Sequence, residues 1–256
     1  MSDRVLVIIP ARYASTRLPG KPLISLAGKP MIQHVYERAS LAEVSRVIVA
    51  TDDNRIARAV TDFGGEVILT RADHLSGTDR VAEAARQTDA DLIINVQGDE
   101  PLLNPDSINR AVAPLREQSA IQMGTLAHPL TDPEEVFNAN IVKVVCDQQG
   151  FALYFSRAPL PYDRDRFGAR LPVDTLSLAP SSMMRHIGLY VYRADFLQQF
   201  ASLAPTPLEK LEKLEQLRAL EKGHRIRVVT VEQSVVGVDT QDDVEKVKAI
   251  LEEKSI

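Results

Sequence analysis

The chain has 256 residues, 45% hydrophobic and 25% charged, which is ordinary globular usage and enough chain for a substantial core. Its formal net charge of -5 disfavours a protein that binds a nucleic acid polymer, because wrapping a polyanion requires a clustered cationic surface. The single cysteine excludes an intrachain disulfide, and the apolar runs are too short for a membrane span or a signal-peptide core. We therefore predict a cytoplasmic protein with no membrane partner, for which a small anionic ligand remains possible.

Short apolar runs alternate with helical patterns along the first part of the chain. Strand and helix patterns fall, in turn, at Val5–Ile9, Met31–Leu41, Val47–Ala50, Arg55–Phe63 and Val67–Leu69, and a continuous apolar strand follows at Leu92–Val96. Continuous β-branched runs suit strands that are covered on both faces, so we predict an α/β fold with a mainly parallel central sheet flanked by helices. Open sheets of this kind bind ligands at the carboxyl ends of their strands.

The second half of the chain predicts one excursion from this pattern within a single domain of residues 1–256. The excursion lies around residues 156–190. From Ser156 to Ser182 the sequence is rich in Pro, Asp and Arg and has no sustained period, so we predict a lid or a dimer arm there. The patterns beyond it predict a strand, a helix, a strand and a closing helix at His186–Tyr192, Leu208–Leu220, Ile226–Val231 and Gln241–Leu251.

The loop after the first strand concentrates positive charge. Between Ala11 and Pro22 it carries three cations, Arg12, Arg17 and Lys21, among small residues. Backbone N–H groups together with Arg and Lys side chains can neutralise a triphosphate. The loop lacks a Walker motif, because a proline follows Lys21 and a serine stands where the earlier glycine is needed, and it lacks the glycines of a dinucleotide fingerprint. The alternative is a solvated basic turn.

Two aspartates follow predicted strands. Asp99 lies in the phrase Gln97–Pro101, directly after the strand that ends at Val96, and Asp239 precedes the last helix. An aspartate at such an edge can hold Mg²⁺, which binds one or two carboxylates together with phosphate oxygens. Each aspartate could equally be a turn residue or a helix cap. Convergence of the two on one metal ion would favour the metal site.

Several phrases, spread over nearly the whole chain, carry a family resemblance. They are Ile9–Leu23, Ala50–Asp53, Ser76–Arg80, Asn95–Pro101, Leu153–Ala158, Arg185–Tyr190, Leu214–Arg218 and Gly237–Thr240. In these phrases the chain resembles the 3-deoxy-manno-octulosonate cytidylyltransferases, the CMP-KDO synthetases of lipopolysaccharide synthesis. The resemblance implies a Rossmann-like nucleotidyltransferase fold and a homodimer. It also implies a reaction in which Mg²⁺, CTP and 3-deoxy-manno-octulosonate (KDO) give CMP-KDO and pyrophosphate.

The resemblance assigns the residues of the nucleotide side. Arg12 and Lys21 would be catalytic, because they would hold the β- and γ-phosphates of CTP and stabilise the departing pyrophosphate, with Arg17 as a helper. Asp99 and Asp239 would be the metal ligands and complete the catalytic set. The remaining CTP-binding residues would be Ala11, Arg71, Ser76, Gly77 and Arg80.

The sugar side needs a cation for the carboxylate of KDO and groups that bind hydroxyls. The resemblance implies the following sugar-binding residues: Gln97, Arg157, His186, Tyr190, Glu215 and Gln216. Without the resemblance, His186 would be interpreted as a hydrogen-bonded strand histidine, Tyr190 as core packing and Glu215 as one charge on a solvated helix.

Three alternatives to KDO transfer remain open. The closest is a transfer of CMP to another acidic sugar, such as 8-amino-KDO or a sialic acid, because the nucleotide side would look nearly the same. A nicotinamide oxidoreductase is disfavoured by the missing glycine fingerprint. A non-catalytic binding protein is disfavoured by the presence of both aspartates and both terminal cations of the loop, although the fold alone does not exclude it.

Overall fold

A computed structural model describes residues 3–14, 18–164, 183–232 and 237–253. The strands are β1 Val5–Ala11, β2 Ser25–Leu26, β3 Lys29–Pro30, β4 Arg46–Thr51, β5 Glu66–Leu69, β6 Leu92–Asn95, β7 Met123–Pro129, β8 Lys143–Cys146, β9 Ala152–Ser156, β10 Met184–Arg193 and β11 Ile226–Thr230. The α-helices are α1 Met31–Ser40, α2 Asn54–Asp62, α3 Gly77–Ala85, α4 Pro105–Glu117, α5 Pro133–Phe137, α6 Ala194–Ser202, α7 Pro207–Glu212, α8 Leu217–Glu221 and α9 Gln241–Glu253. No helix in these ranges is long and apolar enough to cross a membrane.

Nine strands form one mixed sheet in the order β11-β7-β10-β6-β1-β4-β5, with β8 and β9 attached beside β10. The strands β6, β1, β4 and β5 are parallel neighbours, and β11 runs parallel to β7. Only β10 is antiparallel to its neighbours β6 and β7 along that order of the described strands. The predicted α/β fold with a mainly parallel, helix-flanked sheet is confirmed, and the arrangement is Rossmann-like.

The first strand shows why the sequence runs apolar without alternation. Val7 and Ile9 belong to a core that includes residues of α1 and α4 on one face of the sheet. Leu6 and Ile8 belong to the core on the other face, which includes residues of α3 and α6. All four side chains are buried. Because both faces are covered, every position of β1 favours an apolar residue, and polar groups are left to the strand ends.

The continuous helix predicted over Leu208–Leu220 is wrong. The chain forms α7 and α8 instead, and Lys213 between them has φ 55°, in the left-handed region. Leucines spaced by three residues would drift around one straight helix. The break brings Leu214 and Leu217 into the core, whereas Leu211 stays 78% exposed. Burial of the two core leucines thus outweighs the helix preference of this charged stretch.

The predicted excursion is bounded by two strands of the sheet. β9 ends at Ser156, and β10 begins at Met184, so the end of the predicted 156–190 span belongs to the sheet. Residues 165–182 lie outside the described residues. The lid or dimer arm therefore stays a prediction.

Candidate active site

The site is a cavity of about 290 Å³ at the carboxyl ends of β1 and β6. Of the sequence-predicted residues, it is lined by Ala11, Arg12, Lys21, Ser76, Gly77, Arg80, Gln97, Asp99 and Asp239. The lining residues that the sequence did not single out are Pro10, Pro22, His74, Leu75 and Gly98. Loops that follow strands and the start of α3 thus form the wall, as expected at the ligand-binding edge of an open α/β sheet.

The cationic loop after β1 turns back at Gly20. This residue has φ 68°, and its N–H donates to the Tyr13 carbonyl oxygen at 3.1 Å. A Cβ there would lie 3.1 Å from the Tyr13 ring, so glycine is favoured on both conformational and steric grounds. A 3-10 turn at Lys21–Leu23 follows and brings Lys21 to the cavity. Arg17 lies outside the described residues, and its helper role stays a prediction.

Lys21 joins the two predicted metal ligands. Its Nζ atom lies 2.5 Å from Asp99 Oδ2 and 3.1 Å from Asp239 Oδ1. Two carboxylates that approach one cation can also hold a divalent ion together with phosphate oxygens. Within the described ranges, no group of three or more His, Cys, Asp or Glu side chains is arranged to bind a metal. A metal held by Asp99 and Asp239 would therefore take its other ligands from water or substrate.

Asp99 is placed by the close approach of two loops. A Cβ at Gly98 would lie 3.1 Å from the Pro10 carbonyl oxygen, so glycine lets the loop after β6 pack against the end of β1. On its other side, the Val238 N–H donates to the Asp99 carbonyl oxygen at 2.9 Å. This bond ties the Asp239 loop to the Asp99 loop. It explains why two carboxylates far apart in sequence meet at one point.

The start of α3 forms another part of the cavity wall. The Ser76 hydroxyl accepts from the Asp79 N–H at 3.1 Å, and the Asp79 carboxylate accepts from the Ser76 N–H at 3.2 Å. This reciprocal capping box fixes the first turn of the helix. Ser76 and Gly77 line the cavity, so the positive end of the helix dipole lies at the site. That end favours anions and hydrogen-bond acceptors.

The two arginines predicted near the nucleotide differ in environment. Arg80 has a side chain only 5% exposed, pairs with Asp52 Oδ1 at 3.1 Å and donates to Thr70 Oγ1 at 2.5 Å. Arg71 is 70% exposed and lies 3.7 Å from Glu83. The structure therefore builds Arg80 into the wall and leaves Arg71 at the surface, outside the lining residues.

His74 is a lining residue that the sequence analysis missed. Its side chain is 7% exposed, and its Nε2 atom contacts the Glu83 carboxylate. A histidine two residues before the Ser76 cap was the available signal. One histidine fits so many roles that the sequence did not separate it from a structural residue.

On the predicted sugar side, Thr125 orients His186. The Thr125 hydroxyl donates to the Leu189 carbonyl oxygen at 2.8 Å, so it accepts from His186 Nε2, 2.9 Å away. Burial lowers the pKa of His186 to about 3, so the ring is neutral at pH 7 and its Nδ1 atom is an acceptor. The ring centroid of Tyr190 lies 5.4 Å from that of His186, and burial raises the pKa of Tyr190 well above its usual range. Both groups are thus neutral.

Gln97 connects the cavity to the strand that carries these residues. Its Nε2 atom donates to the Gly188 carbonyl oxygen at 3.3 Å and to Asn95 Oδ1 at 3.4 Å. Gln97 also lines the cavity. His186 and Tyr190 do not line the cavity. They lie on β10 together with Gly188, so Gln97 connects their strand to the nucleotide side.

Glu215 occupies the break between α7 and α8. Its carboxylate accepts from Thr78 Oγ1 at 2.5 Å and lies 3.4 Å from Arg218 Nη2. Burial raises the pKa of Glu215, and these two partners oppose the rise. The neighbouring Gln216 is 4% exposed, and its Nε2 atom has no hydrogen-bond partner among the described residues. A buried donor of this kind calls for a partner, such as a ligand group or an ordered water.

Arg157 is held by main-chain carbonyl groups. Its Nε atom donates to the Glu212 carbonyl oxygen at 2.7 Å, and its Nη1 atom donates to the Ala139 carbonyl oxygen at 2.8 Å. These bonds support the chain just before the left-handed Lys213. Arg157 does not line the cavity of the described structure, so its sugar-binding role stays a prediction.

Glu100, beside the predicted metal ligand Asp99, is a second residue that the sequence analysis passed over. Burial raises the pKa of Glu100 to about 8, and the Asp99 carboxylate adds to the rise. Its Oε2 atom is buried without a hydrogen-bond partner in the described ranges. The acidic phrase is visible in the sequence, but only the tertiary contacts distinguish Asp99, which pairs with Lys21, from Glu100, whose Oε2 atom is buried.

The fold and the cavity place the chain among nucleotidyltransferases, and the comparisons agree. The cytidylyltransferase family model matches residues 6–226. A solved CMP:2-keto-3-deoxy-manno-octonic acid synthetase complexed with CTP has a TM-score of 0.89 at 43% identity, covering 98% of this chain and 99% of that one. A 4-diphosphocytidyl-2C-methyl-D-erythritol synthase from Anaerococcus prevotii, 13% identical with a TM-score of 0.62, shares the fold over 98% of this chain and 100% of that one.

Two relatives define the family more narrowly. The 3-deoxy-manno-octulosonate cytidylyltransferase of Syntrophotalea carbinolica is 58% identical over 96% of this chain and 98% of its own length. That of Geobacter sulfurreducens is 54% identical over 95% of this chain and 97% of its own. The chain belongs to the 3-deoxy-manno-octulosonate cytidylyltransferase family, as the sequence phrases predict.

Proposed function

We propose that the chain catalyses a Mg²⁺-dependent transfer of CMP from CTP to the anomeric hydroxyl of KDO, with release of pyrophosphate, for lipopolysaccharide biosynthesis. The observation that carries the chemistry is the meeting of Asp99, Asp239 and Lys21 at one point of the cavity that the start of α3 also lines. Charge of both signs is needed there, because the reaction brings a metal ion and a triphosphate together. The printed names of the relatives supply the two substrates.

On the nucleotide side, Arg12 and Lys21 bind the β- and γ-phosphates and offset the charge that develops on pyrophosphate. Ala11, the Ser76–Gly77 turn and Arg80 frame the cytidine. The first turn of α3 offers N–H donors to the acceptor atoms of the base. Once the phosphates are held in this way, the α-phosphorus is open to in-line attack from the sugar side.

Asp99 and Asp239 would hold the metal ion. A bound ion there would supply Lewis-acid chemistry, which makes a hydroxyl such as the anomeric hydroxyl a better nucleophile. Without the ion, the single charge of the Lys21 ammonium offsets one of the two carboxylate charges, and with the ion in place the lysine would serve the phosphates. The two carboxylates fit Mg²⁺, which prefers oxygen ligands and keeps several waters.

On the sugar side, neutral and charged groups together orient KDO. His186 Nδ1 accepts a hydrogen bond from a sugar hydroxyl, and the buried Gln216 amide donates one to a sugar oxygen. Glu215 accepts from sugar hydroxyls, and Gln97 lies between the sugar and the nucleotide. Arg157 supplies the cation for the sugar carboxylate only if its main-chain bonds rearrange.

The test is pyrophosphate release by the purified chain with Mg²⁺ and CTP. We expect release with KDO, loss of release after treatment with EDTA, and recovery when Mg²⁺ is added back. Parallel reactions with 8-amino-KDO and with sialic acid address the close rivals. Faster turnover of either sugar than of KDO would reassign the acceptor, and no release with any of the three would contradict the enzymatic proposal.

The assembly and the location belong to the same proposal. A homodimer in the cytoplasm is what the family resemblance and the sequence pattern predict. Light scattering of the full chain measures the assembly directly, and a mass of one chain across the working concentration range would contradict it.

A further inference from the structure

Thr78 stands at the boundary between the two halves of the site. It is the second residue of α3, directly after Gly77, which lines the nucleotide cavity. Thr78 is only 3% exposed, and its hydroxyl donates to Glu215 Oε2 at 2.5 Å. The bond therefore links the nucleotide-facing turn of α3 to the break between α7 and α8, across 137 positions of sequence.

The other partners of Glu215 leave a specific task for Thr78. Arg218 is committed mainly to Glu209, to which it donates from Nε at 2.8 Å and from Nη2 at 2.5 Å, and its distance to Glu215 is longer, at 3.4 Å. The buried Thr78 hydroxyl, at 2.5 Å, is thus the closer of these two donors to the Glu215 carboxylate.

We propose that Thr78 is a positioning residue that aims the Glu215 carboxylate at the sugar from the first turn of α3. This inference rests on the proposed function. Thr78 does not line the nucleotide cavity of the described structure, and it acts through Glu215. A carboxylate has several oxygen lone pairs and can rotate, so a short, directional donor selects one orientation.

Replacement of the hydroxyl by a methyl group isolates this role. Thr78→Val keeps the shape of the side chain and removes the donor to a charged group. We expect kcat/KM for KDO to fall about ten- to hundredfold, while KM for CTP stays within about twofold, because the lost bond acts on the sugar half. Thr78→Ser restores the hydroxyl and should restore most of the activity.

A matched control uses a second threonine next to the same helix. The Thr88 hydroxyl donates to the Ala85 carbonyl oxygen at 2.8 Å, away from the cavity. Thr88→Val makes the same chemical change, and we expect it to leave both substrates unaffected. The double variant with Glu215→Gln tests whether Thr78 acts through Glu215. In the Glu215→Gln background, Thr78→Val should lower kcat/KM for KDO much less than it does in the wild type.

Several outcomes overturn the inference. They are an unchanged kcat/KM for KDO in Thr78→Val, an equal loss for CTP and KDO, a failure of Thr78→Ser to restore activity, or a full additional loss in the Glu215→Gln background. If Thr78→Val does not fold, Thr78→Ala gives the same comparison. The wild-type rate separates the two proposals: an inactive wild type overturns the proposed function, whereas an active wild type with an unaffected Thr78 variant overturns this inference alone.

Discussion

The two halves of the site hold their polar groups in opposite ways. On the nucleotide side, Asp99 and Asp239 have side chains 36% and 54% exposed, and they meet an ammonium group that another cation can replace. On the sugar side, His186 and Tyr190 are partly buried and neutral, and Glu215 is held by Thr78. A site for a highly charged, metal-bound substrate stays hydrated and adjustable, whereas a site for hydroxyl groups is arranged before the ligand arrives.

The largest effect is expected on the hydrated side. Asp99→Asn and Asp239→Asn each remove one carboxylate charge from the proposed metal site, so we expect kcat to fall on the order of a thousandfold while the fold is kept. The assay is pyrophosphate release at saturating Mg²⁺. Asp242→Asn, an exposed change in the first turn of α9, is the matched control and should leave kcat unchanged. Near-normal turnover in Asp99→Asn would show that the metal ligands lie elsewhere.

A smaller effect separates the two arginines of the nucleotide side. Arg80→Met leaves the Asp52 carboxylate without its partner in a mostly buried place, which we expect to lower the free energy of unfolding by about 2 to 3 kcal/mol. Arg71→Met removes an exposed side chain and should change the free energy of unfolding by less than about 0.5 kcal/mol. Urea unfolding of the two variants measures the difference. Equal losses would mean that the burial of Arg80 does not matter for stability.

The smallest effect concerns the neutral histidine of the sugar side. Because the pKa of His186 is about 3 in the folded chain and higher in the unfolded chain, the unfolded chain alone takes up a proton as the pH falls below about 6.5. Stability is therefore lost as the pH decreases, by about 1.4 kcal/mol per pH unit from this group. His186→Asn should remove that part of the slope in urea unfolding between about pH 6 and pH 4.5. Equal slopes of the free energy of unfolding against pH in the wild type and the variant would contradict a His186 that stays neutral in the folded chain.

The sequence predicted the fold class and most of the first-half elements, because a strand covered on both faces must be apolar throughout, as β1 is. It also predicted the cationic loop and the two aspartates, since charges at strand ends stand out against apolar runs. It did not predict the break at Lys213, where the core selected Leu214 and Leu217 over a longer helix. Nor did it single out His74, Glu100 or Thr78, whose partners are supplied by tertiary contacts.

The local pattern by itself thus determined the α/β class, the sheet edge that carries the site, and the positions of Arg12, Lys21, Asp99 and Asp239. Only the tertiary structure decided which polar groups are buried and what they contact: Lys21 between two carboxylates, Arg80 inside and Arg71 outside, and Glu215 held by Thr78. The physical reason is the separation in sequence over which each property arises. Apolar periodicity is a property of neighbouring residues, whereas burial and hydrogen-bond partners arise between segments that are distant in sequence.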